Sequence, residues 1–428
     1  MAVQPVVADG NGIRRLVLCF DGTWNTPEDQ TNVSRIYAAI ADVHAGCKDQ
    51  LKFYDAGVGT NSGSRVTGAA FGWGLDENIL QGYCWLINEY QPLRGVPPRA
   101  PEADGEVFEA GPDIFIFGFS RGAYTARSLA GLINRCGLPR RELFAGEVDP
   151  ATGRVEGRAH TKSTIVRRAW ELYREKFAAG IESRRQPSLV AFRRDHSRNV
   201  KVRFLGVWDT VGALGVPMFS NNALARLRYG FHDTGLGRVV ECAYHAVAID
   251  EQREDYEVTL WDRKHEYTRD VEQRWFPGAH TNVGGGYQDD LLPDPPLKWI
   301  AEKAIAEGLE FTDEVRMRVG ELRCKRALPE DFKLRGNEYL SPVRDSYAEF
   351  LFGVYRIGRA LRPNGGRYYR PMLVRGVGET IDESAHMKWS ADHAYRPPNF
   401  AYAGRADMGA SAAAPVAVTA GRTQSGAA

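Results

Sequence analysis

Short apolar runs alternate along the chain with longer stretches in which apolar residues recur every three or four positions. Ile13 to Phe20 (IRRLVLCF) and Leu51 to Tyr54 read as strands, as do the run ending at Phe117, Asn199 to Val207 (NVKVRFLGV), Tyr256 to Trp261 and Gln273 to Phe276. The unbroken run Ile114-Phe-Ile-Phe117 is what a strand covered on both faces looks like. Helical spacing marks Ile36 to Val43, with Asn32 or Ser34 as the expected cap, and then Leu80 to Tyr90, the stretch from Ala123 to Ile133, and Leu297 to Glu307. Strands alternating with helices predict an α/β fold: a mostly parallel sheet with helices on both faces. Residues 1–11 read as a flexible leader and 12–402 as one α/β domain. Within it, a charged helical insertion occupies about 140–197, and the Ala, Gly, Ser and Thr tail at 403–428 is expected to be disordered.

With 428 residues, 43% hydrophobic and 25% charged, the chain has the composition of a folded enzyme-sized domain. Its formal net charge of +1 gives no electrostatic basis for nucleic-acid binding, so none is expected. The six cysteines are scattered without a C-x-x-C pair, which suggests neither a disulfide framework nor a zinc site. The start lacks a signal peptide and no run is long enough to span a bilayer, so the expectation is a chain made in the cytoplasm, with non-classical export left open.

The most informative segment is Gly118-Phe-Ser120-Arg-Gly122, a G-x-S-x-G turn between the apolar strand and the helix that follows. This context is a nucleophile elbow, which lifts a serine hydroxyl above the sheet at a helix start. A serine hydroxyl needs a base to take its proton and a carboxylate to orient that base. In the α/β-hydrolase arrangement these partners follow in the order Ser, acid, His, each beyond a strand. Asp209 directly follows the strand NVKVRFLGV, and His280 lies in a glycine-rich turn just beyond Phe276. Asp250 and Asp289 are rival acids. Of nine histidines, His245 sits in an apolar stretch and reads as a core residue. An oxyanion hole needs two preorganised N–H donors. The backbone of Arg121 is the first candidate, and Gly22 or Thr23, after the first strand, the second.

The same Asp21-Gly22-Thr23 raises another enzyme class, since phosphatases of the haloacid-dehalogenase type carry D-x-D-G-T at this place. Here Cys19 stands where the nucleophilic aspartate would be, which removes both nucleophile and metal ligand. No cofactor and no metal are expected.

Four segments together, Phe20-Asp-Gly-Thr-Trp-Asn25, Gly118-Phe-Ser-Arg-Gly-Ala123, Gly206-Val-Trp-Asp-Thr-Val-Gly212 and Phe276-Pro-Gly-Ala-His-Thr-Asn-Val-Gly-Gly-Gly-Tyr287, carry a resemblance. They resemble the α/β-hydrolase family that contains the catalytic domain of type VI secretion phospholipase effectors, long catalogued as a domain of unknown function. The resemblance runs from about Arg15 to Ile305, more weakly to Asn399. It implies Ser120 as nucleophile, Asp209 as acid and His280 as base. It also implies an ester substrate with lipids or phospholipids as precedent, and, for an effector, a secretion apparatus or immunity protein as partner. Transient membrane contact has one candidate, Tyr347 to Leu361, with Phe350, Leu351, Val354, Ile357 and Leu361 on one helical face. Such a helix lies on a bilayer, acts as a lid, or packs in the core. The expected activity is therefore that of a serine esterase or lipase. The alternatives are a phospholipase toxin delivered by a type VI system and a hydrolase scaffold used only for binding.

Overall fold

The computed structural model describes residues 15–22, 29–41, 49–57, 68–93, 95–102, 105–148, 153–178, 186–212, 235–312, 327–349, 354–360 and 365–400. Seven parallel strands form the main sheet: β1 (Arg15–Phe20), β2 (Gln50–Asp55), β3 (Asp113–Phe119), β4 (Val202–Trp208), β5 (Val240–Ala248), β6 (Asp270–Phe276) and β7 (Glu379–Ile381). Their spatial order is β7-β6-β5-β4-β3-β1-β2. The chain runs outward from β1 to β2, then returns to the other side of β1 and builds the rest of the sheet in one direction. The reversal puts a crevice outside the carboxyl ends of β1 and β3, where open α/β sheets bind ligands.

Both faces of the sheet are covered, the α/β-hydrolase-like arrangement that the pattern of elements predicted. Leu16, Leu18, Ile114 and Ile116 point to one face. There they pack on α2 (Gly68–Glu89), α3 (Arg121–Cys136), α4 (Thr164–Ala178) and α5 (Pro187–His196). Val17, Cys19, Phe115 and Phe117 point to the other face, against α1 (Asn32–Ala39) and a later helix, Asp294–Ala306. On that second face Phe115, Phe117, Tyr244 and Trp208 gather around Phe204, with ring centroids 5.3–5.8 Å from it for the first three. The stretch 140–197 forms the β3-to-β4 crossover. Val166, Leu172, Leu189 and Phe192 of its helices belong to the same core as β1. No described helix is long and apolar enough to cross a membrane.

Several expectations are corrected. Tyr256 to Trp261 is not a strand; it begins in a 3-10 turn, Glu254–Tyr256, and continues irregularly, touching the sheet end through a single bridge at Val258. The strand in this region is β5, whose run Val-Glu-Cys-Ala-Tyr-His-Ala-Val-Ala is buried on both faces. Glu241 and His245 interrupt the apolar run, and Ala243, Ala246 and Ala248 have little preference for strands, so the segment does not declare itself as one. β7 has only three residues and no pattern to read. Helix α1 starts earlier than expected and is capped by Thr31, whose Oγ1 accepts the Ser34 N–H at 3.1 Å. Asn32 instead donates to the carbonyls of Val283 and Pro293, tying α1 to the His280 turn. Within 347–361, helical turns are described at Ser346–Glu349 and Val354–Ala360, where Tyr347 and Tyr355 are buried and meet edge to face; the side chains of the apolar face expected to meet a bilayer lie outside what is described. Residues 1–14, 58–67 and 401–428 lie outside the described residues.

Two glycines set how closely α3 approaches the sheet. A Cβ on Gly118 would lie 2.7 Å from Cα of Ala123, and one on Gly122 would overlap the Phe20 carbonyl. Both obstacles are backbone and cannot swing aside. Gly122→Ala is therefore expected to destabilise the fold by about 1–3 kcal/mol through overpacking, read as a lowered denaturation midpoint.

Candidate active site

The carboxyl ends of β3, β4 and β6 each deliver one of the residues singled out by sequence. Ser120 follows β3 directly and occupies φ 58°, ψ −119°, where a side chain is strained. The surrounding backbone enforces it: the Ser120 N–H donates to the Trp208 carbonyl at 3.0 Å, and its carbonyl accepts the Tyr124 N–H at 3.2 Å. Asp209 follows β4 and is also at positive φ, 38°, with its N–H on the Ala246 carbonyl. His280 opens α6 (His280–Gly284) four residues past β6.

The three side chains meet. Ser120 Oγ lies 2.8 Å from His280 Nε2, and His280 Nδ1 lies 2.5 Å from Asp209 Oδ2. Ser120 and His280 are nearly buried and Asp209 fully so. The His280 ring is packed between Phe119 and Tyr256, with centroids 4.7 and 5.2 Å away, so its orientation is set by packing as well as by hydrogen bonds. Asp250 and Asp289, the rival acids, are elsewhere: the Asp250 carboxylate accepts the Gly278 N–H and the Tyr395 hydroxyl.

The family model described as "T6SS, Phospholipase effector Tle1-like, catalytic domain" matches residues 14–303, about two thirds of the chain. The chain belongs to this family. A curated relative, an uncharacterized protein of Saccharomyces cerevisiae, is 26% identical over an alignment of 274 residues that covers 59% of this chain and 33% of that protein. A crystal structure of an uncharacterized protein from Pseudomonas aeruginosa aligns at a TM-score of 0.40 with 17% identity, over 82% of this chain and 51% of that one. The structure of the Tle1 effector bound to the VgrG spike from the Type 6 secretion system aligns at 0.31, again with 17% identity, over 65% and 52%. The chain thus spans about a third of the yeast protein and about half of either solved chain.

Within this Tle1-like domain, the electrostatics of the three residues follow from what surrounds them. Burial by itself would raise the Asp209 pKa, but the Arg370 guanidinium and His280 outweigh it and hold the carboxyl well below its usual range. Arg370 is fully buried and bidentate, with Nη1 2.6 Å from Oδ1 and Nη2 3.1 Å from Oδ2. The Ala248 N–H completes the shell at 2.9 Å. For His280, burial lowers the pKa below the ordinary value of 6.5 against the opposing pull of Asp209. The turn that carries His280 is fixed at three successive N–H groups. Gly278 donates to Asp250 at 2.7 Å, Ala279 to Asn282 Oδ1 at 2.9 Å, and His280 to Glu251 at 3.3 Å. Glu251 is itself buried and bidentate with Arg253, whose charge brings its pKa down to about 2 despite burial.

Sequence reasoning missed Glu251, Arg253 and Arg370. Glu251 and Arg253 flank a strand end, a position that could have flagged them. Arg370 sits in Arg367-Tyr-Tyr-Arg370-Pro371, far along the chain and without any motif. Of the candidate oxyanion donors, Arg121 opens α3 beside Ser120, as expected. The Gly22 N–H, however, donates to Asp21 Oδ1 at 2.7 Å and is therefore committed, while Thr23 lies outside the described residues. Asp21 is occupied in turn by the hydroxyls of Thr31 and Tyr54 at 2.5 and 2.8 Å. Cys19 faces the core with its thiol pKa pushed up by burial. His245 is a core residue as read: its Nε2 accepts the Thr210 N–H and burial depresses its pKa to about 3. Among the described residues no cluster of ligating side chains suits a metal ion.

Because the fold disfavours the charged ring, the His280 imidazole should titrate below 6.5. Its ring protons, followed by NMR against pH, should show a midpoint on the acid side of that value. A midpoint above it would mean that Asp209 outweighs burial.

Proposed function

We propose that this chain is a serine hydrolase of carboxylic esters, with lipid or phospholipid acyl esters as substrates. The observation that carries the reading is the hydrogen-bonded chain Ser120 Oγ, His280 Nε2, His280 Nδ1, Asp209 Oδ2, at 2.8 and 2.5 Å, hung on a strained strand-to-helix turn. Membership of a phospholipase effector family supports the lipid part.

In this reading His280, neutral at working pH, takes the Ser120 proton as Oγ attacks the acyl carbonyl. The imidazolium that forms faces the Asp209 carboxylate, which stays ionised and only orients and stabilises it. The oxyanion is met by the Arg121 N–H, at a helix N-terminus where the dipole also favours negative charge. Of the two candidates for the second donor, the Gly22 N–H is held by Asp21, and Thr23 lies outside the described residues. His280 then returns its proton to the leaving alcohol, and a water that it activates cleaves the acyl-enzyme.

Ser120→Ala should lower ester turnover by about three orders of magnitude or more with an unchanged circular-dichroism spectrum. A fluorophosphonate probe should label the wild type and not this variant. Labelling of neither protein, with no turnover, would favour a hydrolase scaffold used for binding.

A second, narrower reading is favoured by the family: a phospholipase effector delivered by a type VI apparatus, with that apparatus or an immunity protein as partner. It expects fatty-acid release from phospholipid vesicles to exceed hydrolysis of a soluble ester at equal acyl concentration. The reverse preference would leave an esterase and remove the effector.

A further inference from the structure

Residues 327–400 lie beyond the span that the family model matches, yet side chains from this segment reach Asp209 and the Ile249–Glu251 turn that holds the His280 backbone. The Ser346 hydroxyl meets both Glu251 oxygens at 3.0–3.1 Å, and Tyr395 donates to Asp250 at 2.9 Å. Asn399 donates to the Ile249 carbonyl. Arg370 goes furthest, because it reaches the Asp209 carboxylate itself. We propose that Arg370 is a positioning residue of the relay: it fixes the Asp209 carboxylate with Oδ2 toward His280, and by sharing that carboxylate it sets how readily His280 takes a proton. This rests on the serine-hydrolase reading above.

The geometry allows little else. A carboxylate offers about four lone-pair sites. On Asp209 these are taken by the Ala248 N–H, two guanidinium nitrogens and His280 Nδ1. Without Arg370 each oxygen keeps one partner, the Ala248 N–H on Oδ1 and His280 Nδ1 on Oδ2, so the plane of the group is held by two contacts in place of four. The guanidinium is aligned independently of Asp209, since Nη1 also donates to the Ala248 carbonyl at 3.0 Å and Nη2 to the Tyr256 carbonyl at 2.5 Å. It thus joins the ends of β4 and β5 to the turn beneath the His280 ring.

The charge has a second effect, with a definite sign. The charged or titratable groups around His280 are Asp209, Glu251, Arg253, Tyr256 and Arg370. Asp209 favours the imidazolium, and a cation on the same carboxylate weakens that help. Removing the Arg370 charge while keeping Asp209 ionised therefore makes His280 easier to protonate. The acidic limb of kcat/KM should then move to higher pH. A brace that only holds the fold would lower activity at every pH and leave the limb in place.

The test compares wild type, Ser120→Ala, Arg370→Lys and Arg370→Met on a soluble short-chain ester across the acid range. For Arg370→Met we expect kcat to fall about 10- to 100-fold at little change in KM, with the acidic limb raised by about one half to one pH unit. For Arg370→Lys, which keeps the charge but not the fork, we expect a smaller fall in kcat and an unmoved limb. Should Arg370→Met fail to fold, Arg370→Lys decides, aided by the low-field Nδ1 proton of His280 read by NMR in a Ser120→Ala background. A reduced kcat with a displaced resonance supports positioning. A wild-type kcat and resonance overturn it, as does Arg370→Met with a lower kcat but an unmoved limb. Activity surviving in Ser120→Ala would instead sink the serine-hydrolase reading, which separates the two failures.

Discussion

An ionised carboxylate with no exposure to water is the feature on which the rest of this site depends. Bringing a carboxylate into a protein interior costs several kcal/mol even after relaxation, so it persists only where the surroundings return that loss through charge and hydrogen bonds. Asp209 is so surrounded: a bidentate guanidinium, a backbone N–H from β5, and the imidazole it orients. Each partner comes from a different part of the chain. The site therefore exists only when β4, β5, the His280 turn and the segment bearing Arg370 are all docked.

The parallel sheet makes this convergence affordable in geometric terms. Its strands share one direction, so their carboxyl ends lie along one edge, and residues from the ends of β3, β4, β5 and β6 meet within hydrogen-bonding distance. Backbone strain at Ser120 and Asp209 is stored where the chain leaves β3 and β4. Strain of this kind costs roughly 1–3 kcal/mol per residue and survives only when neighbours over-determine it. Here the Trp208 and Ala246 carbonyls hold the two N–H groups, and Gly118 and Gly122 let α3 close over β1 without a clash.

Asp250 and Glu251 do a different task from Asp209. Asp250 and Glu251 never touch the imidazole. They seize the N–H groups of Gly278 and His280, and Asn282 takes the one between. A short helix opening at His280 leaves these donors without intrahelical partners, and side chains from the turn after β5 and from α6 supply them. Asp250 lies just past β5, and its actual partners explain why this rival acid is not beside His280. Its own pKa is raised by burial to about 6, the opposite of Asp209, because the Gly278 N–H, the Tyr395 hydroxyl and the Lys388 charge offset burial only in part.

What the chain dictated by itself was local: the apolar run before Ser120, the glycines on either side of it, the strand before Asp209 and the loose turn around His280. Those signals need only neighbours within a few residues, so they survive in one dimension and give both the elbow and the order of the three side chains. Strand β5 escaped because Glu241 and His245 break its apolar run and its three alanines carry little strand preference, and β7 was too short to carry a pattern. The tertiary structure alone decided that Asp209 rather than Asp250 meets the imidazole, that the Gly22 N–H is spent on Asp21, and that Arg370 closes the far side of the carboxylate. A guanidinium 161 positions along the chain from its partner leaves no periodicity or spacing behind. Only folding brings the two charges together, and only burial makes their pairing obligatory.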